Sequence, residues 1–72
     1  MMDILIFKTN LADKTILRKA SPIIRALQGI IRWTVDLHDD DKVLRIETLN
    51  LTPQYVEASL RNAGYYCEEL KD

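Results

Sequence analysis

The chain holds few side chains able to do chemistry. There is one thiol (Cys67), one imidazole (His38) and a run of three carboxylates, Asp39, Asp40 and Asp41. A lone thiol can serve as a soft metal ligand or pair with a second molecule, but a single free cysteine most often packs as a small apolar residue. No second soft ligand is placed beside it, since Met1 and Met2 belong to a terminus expected to fray. His38 has no serine or cysteine in a recognisable nucleophile context, which argues against acid–base or covalent catalysis. Carboxylates beside an imidazole suit Mn, Zn or Ca better than Cu(I). The spacing matches no calcium loop, however, and aspartates gather in turns for backbone reasons. A fourth group is cationic: Lys14, Arg18 and Arg25 recur at helical spacing, with Lys19 nearby. The plain alternative for that stripe is a solvated helix face.

The composition narrows the possibilities. The chain has 72 residues, 47% of them hydrophobic and 29% charged, with two Gly and two Pro. That is the make-up of one small globular domain spanning residues 1–72, neither disordered nor low in complexity. A chain of this size buries about 60% of its unfolded surface, leaving room for one core and a surface site. One Cys excludes an internal disulfide framework and a Cys-only zinc site. The longest apolar run, Ile4 to Phe7, is too short to span a membrane, and the first residues show no secretory signal, so a cytoplasmic location is expected. The net charge is −1 but unevenly spread. Residues 1–36 carry six basic and three acidic groups, whereas residues 37–72 carry four and eight. Without a clear basic excess the chain does not read as a nucleic-acid binder. The split suggests a charge dipole that would orient a protein partner.

The elements that must position these groups follow from periodicity. Residues 3–8 are β-branched and aromatic, as in a buried strand. Asp13 is a helix N-cap, and Ile16, Ala20, Ile24 and Leu27 recur at helical spacing until Gly29. Pro22 interrupts that stretch. It implies either a kinked helix or a break at Ser21, and the unbroken phase of the apolar stripe favours the kink. Residues 31–38 alternate strictly, with Ile31, Trp33, Val35 and Leu37 apolar, as in a half-buried strand. The three aspartates form a turn, and 42–48 form the next strand with Leu44 and Ile46 inward. Thr52 and Pro53 open a second helix, with Val56, Leu60 and Ala63 as its buried stripe and Glu57–Arg61 as an i,i+4 pair. Gly64 ends it, and residues 65–70 form a last short strand. The order βαββαβ predicts an α+β, ferredoxin-like sandwich: a four-stranded antiparallel sheet with two helices on one face. That topology brings the loops 9–14, 38–42 and 64–66 to one tip.

The chain resembles the heavy-metal-associated (HMA) domain, the fold of small copper chaperones and of the metal-binding modules of copper and zinc pumps. The resemblance covers nearly the whole chain. It is carried by Phe7-Lys8-Thr9-Asn10-Leu11 leading into the first helix, Leu27-x-Gly29-Ile30 ending it, Trp33-x-Val35-Asp36 in the second strand, and Ala63-Gly64-Tyr65 after the second helix. The family's signature is a Cys-x-x-Cys pair at the start of the first helix. Here those positions fall on Asp13 and Ile16, so both soft ligands are missing. A carboxylate is a hard ligand and an isoleucine coordinates nothing. Leu11 matches a buried apolar position of the family's loop. The tyrosine after the glycine, here Tyr65, lies near the metal in the family; without a thiolate pair it becomes a packing or contact residue.

Family members dock on partner domains through loops and a helix face near the metal. The resemblance therefore implies that Lys14, Arg18, Arg25 and Tyr65 face an acidic partner, such as a surface of a metal-transport protein. Three functions follow in order of preference. The first is a degenerate HMA-like interaction module with no catalytic residues and no cofactor. The second is a metal carrier or sensor using a non-standard site at the tip, drawn from Asp13, His38, Asp39, Asp40, Asp41 or Cys67. The third, a small enzyme, lacks a nucleophile–base pair.

Overall fold

Six elements succeed one another in a computed structural model that describes residues 2–71: β1 (Asp3–Thr9), α1 (Lys14–Arg25), β2 (Ile30–Val35), β3 (Leu44–Thr48), α2 (Pro53–Asn62) and β4 (Cys67–Glu69). The strands pair antiparallel in the order β2-β3-β1-β4, the ferredoxin-like arrangement the periodicity predicts. Strand alternation sorts the side chains. In β1, Phe7 and Thr9 are buried, while Ile4, Ile6 and Lys8 face solvent. Leu44 and Ile46 of β3 join Phe7 of β1, Cys67 of β4, Leu11 of the loop before α1, Ala20 and Ile24 of α1, and Val56 and Leu60 of α2 in one core.

Both helices start where capping chemistry places them. The Asp13 carboxylate accepts the Ile16 N–H at 2.9 Å, and the Thr52 hydroxyl accepts that of Tyr55 at 3.3 Å, with Pro53 as the first helical residue. α1 runs unbroken through Pro22, so Ser21 caps nothing; the proline ring removes one donor without ending the helix. α2 ends in a paired C-terminal lock. Tyr65 N–H donates to the Leu60 carbonyl and Gly64 N–H to that of Arg61, both at 2.9 Å, with Gly64 at φ +96°.

The structure corrects several sequence-based expectations. α1 stops at Arg25 rather than near residue 28, because Leu27 N–H turns back to the Ile24 carbonyl in a tighter final turn. Ile31 does not point into the core. A bulge between Ile30 and Arg32 shifts the register against β3, leaving Ile31 53% exposed while Ile30 packs inward. β2 ends at Val35, where the Asp36 carboxylate accepts the His38 N–H at 3.0 Å and turns the chain; Leu37 and His38 lie outside the strand. β3 begins only at Leu44, after Lys42 adopts φ +45°. Ala63 is an exposed C-cap residue, not part of the buried stripe. β4 is confined to Cys67–Glu69. The Glu57–Arg61 ion pair does not form among the described residues. Glu57 instead accepts the Glu69 N–H at 2.7 Å, tying α2 to β4. Met1 lies outside the described residues.

Candidate functional site

One end of the molecule gathers the three loops, held by bonds between residues far apart in the chain. The Thr9 N–H donates to the Asp41 carbonyl at 3.0 Å, and its hydroxyl to the Lys42 carbonyl at 2.6 Å. The Asn10 side chain accepts the Tyr66 N–H at 2.9 Å. Lys8 pairs with Asp41 at 3.6 Å.

Within that tip the candidate ligands are engaged in backbone work. Asp13 caps α1 by accepting the N–H of Ile16, so its carboxylate is already engaged. Ile16 is half-buried against the core. The Asp39 carboxylate accepts the Asp41 N–H at 2.8 Å, and Asp41 faces Lys8, while Asp40 is exposed. Lys42 folds over this turn, its ammonium donating to the Leu37 carbonyl at 2.9 Å. His38 is exposed and engaged through its backbone. Among the described residues no three His, Cys, Asp or Glu side chains converge as a metal ion would need.

Cys67 is fully buried. Its thiol is pushed up from 9.0 to about 12, first by loss of solvent, then by the nearby Glu57 carboxylate, with Arg61 opposing. A thiol so held is neutral at physiological pH, and the thiolate is the form that binds metal. Tyr65 is half-buried and packs on the core, whereas Tyr66 is exposed.

The basic stripe is more clearly organised. α1 carries Lys14, Arg18, Lys19 and Arg25 and no acidic residue. Lys14, Arg18 and Ser21 stand at i, i+4 and i+7, on one helical face. With Leu17 they line an open groove of about 280 Å³ whose other wall is Trp33 of β2. Neither Lys14 nor Arg18 joins an ion pair among the described residues. Arg25 and Tyr65 do not line this groove. Alternation puts Trp33 on the apolar face of β2; its ring is half-buried, packs on the core and also lines the groove. Its appearance in a groove depends on β2 being an edge strand, which alternation along one strand does not reveal.

No protein-family model matches the chain, and no curated protein matches it at the level of sequence. The likeness is in three dimensions. Oxidized MerP from Ralstonia metallidurans CH34 superposes with a TM-score of 0.82 at 9% identity, over 99% of this chain and all of the other. The apo HMA domain of the copper chaperone for superoxide dismutase gives 0.78 at 18% identity, over 99% of this chain and 69% of that one. The copper(I)-loaded first domain of the human copper chaperone for superoxide dismutase gives 0.78 at 19%, over 96% and 93%. At these identities the likeness is one of fold.

Proposed function

We propose that this chain, which has the fold of a heavy-metal-associated domain, has lost thiolate metal binding and works as a small protein-interaction module. The first turn of α1 carries this reading. Where the family resemblance places two cysteines, one side chain is a carboxylate closing the helix cap and the other is an aliphatic group packed on the core. Neither offers a soft donor, and Cys67 is buried with its thiol held neutral. What α1 presents instead is positive charge with no acidic residue on the same helix, beside a groove, which suits an acidic protein surface. The family resemblance suggests a metal-transport protein as the partner class. In this reading the module acts in the cytoplasm, without catalysis, and takes no nucleic acid, since the cations cluster on one helix of a chain that is acidic overall.

The test is a titration of isotope-labelled protein with Cu(I), Zn(II) and Mn(II) under reducing conditions, read by amide NMR shifts. No grouped shift at micromolar metal is expected. Shifts confined to residues 9–16, 38–42 and 64–67 would overturn the reading in favour of a metal carrier with a non-standard site at the tip.

A further inference from the structure

Beside the α1 groove runs the free edge of the sheet. β2 is terminal in the strand order, so one side of its backbone has no partner strand. The ladder itself shows which groups are free. Asp36 N–H donates to the Val43 carbonyl at 2.9 Å, and Gly29 accepts Leu49 N–H at the other end. Bonded and non-bonded positions alternate in an antiparallel pair. The N–H and C=O groups of Trp33 and Val35 therefore point away from β3. The bulge at Ile31 disturbs the edge only at its start, and from Arg32 to Val35 the register with β3 is regular.

Edge and groove meet at Trp33. Its side chain forms one wall, Leu17 contributes further apolar surface, and Lys14 and Arg18 stand along the helix. The groove is small and open, which suits one anchoring side chain better than an enclosed small molecule. We infer that the groove between α1 and β2 captures an extended acidic segment of a partner protein, which adds a fifth strand at Trp33–Val35. In that mode main-chain bonds supply affinity, and pockets for alternate side chains supply specificity. One apolar side chain of the segment lies between Leu17 and Trp33, and flanking carboxylates meet Lys14 and Arg18. The inference rests on the interaction-module reading and specifies its partner.

The test uses the whole chain and a capped octapeptide in which one Leu is flanked by Glu and Thr. Trp33 is the only tryptophan, so its fluorescence reports occupancy directly. Binding should shift that emission and slow exchange of the Trp33 and Val35 amides, which docking on the helix alone would not do. Two controls separate the contributions. Methylating the peptide nitrogens that face β2 preserves charge and side chains but removes their donors, and should weaken binding about tenfold. Arg18→Glu, an exposed change, should weaken it at least as much and flatten the loss with salt, because less of the binding is then attraction that salt can screen. Binding unaffected by N-methylation, with shifts limited to α1, would overturn strand addition and leave the basic-face reading standing. Absence of binding by the acidic peptide at low salt would overturn both. Concentration-dependent protection of the Trp33 and Val35 amides without peptide would overturn the proposal in favour of edge pairing between two copies.

Discussion

Cys67 is where burial and charge act most strongly on one group. Its thiol titrates near 12 in the fold against 9.0 for an ordinary thiol. The unfolded chain therefore releases this proton first as pH rises, and ionisation favours unfolding. The stability that the neutral thiol contributes is intact below about pH 9 and is lost progressively between pH 9 and 12. Chemical denaturation followed across that interval should show falling stability, and Cys67→Ser should remove most of the slope. Flat stability up to pH 12 would mean that the side chain is hydrated. The same burial makes the thiol inert: a thiol reagent at neutral pH should modify it only at the rate of unfolding.

The first turn of α1 tests the degenerate-motif reading directly. Asp13 and Ile16 are adjacent in space, since the carboxylate of one bonds the backbone of the other at 2.9 Å. Replacing both, Asp13→Cys with Ile16→Cys, should yield a folded protein that binds Cu(I) through two thiolates at a helix N-terminus, where anions are favoured. Loss of the aspartate cap should cost about 0.5–2 kcal/mol. A folded double variant that fails to compete with a Cu(I) chelator would show that the two positions do not correspond to the lost pair. The helices were largely legible in the sequence because their signals are local: Asp13, Thr52, Pro53 and Gly64 act within one turn of where they sit. The start of β2 was not. Ile30 and Ile31 are both apolar, so alternation cannot say which one a bulge turns outward. Strand order, with β1 between β3 and β4, follows from the ferredoxin-like arrangement that the succession of elements implies and not from the pattern of any one strand. The groove at Trp33 follows from that order, and no spacing along the chain announces it. The tip was legible as a place, since connectivity alone brings its loops together. Its use of the aspartates for turn bonds emerged only with the side-chain geometry.

At the scale of the whole molecule the charge split along the sequence does not become a simple dipole. The strand order interleaves the two halves of the chain, so Lys8 of β1 stands across from Glu68 of β4, and Arg32 of β2 bonds Glu47 of β3 at 3.0 Å. The sheet thus mixes its charges, while α1, with four cations and no acid, keeps its own. The proposed recognition surface is for that reason a helix and its neighbouring edge rather than one hemisphere.

The bonds that fasten the tip have a consequence for how the protein forms and comes apart. They close long stretches of chain: Thr9 to Lys42 spans 33 residues and Asn10 to Tyr66 spans 56. Contacts at such separation carry a large loop-closure cost, so they are expected to form late, after the β2–β3 hairpin and the helices have condensed. Asn10→Ala should then leave the refolding rate nearly unchanged and raise the unfolding rate. Stopped-flow traces showing a matching loss in the refolding arm would place the Asn10 contact in the transition state instead. With closure coming last, the tip fastenings act as the clasp of the fold: they set its lifetime more than its rate of assembly.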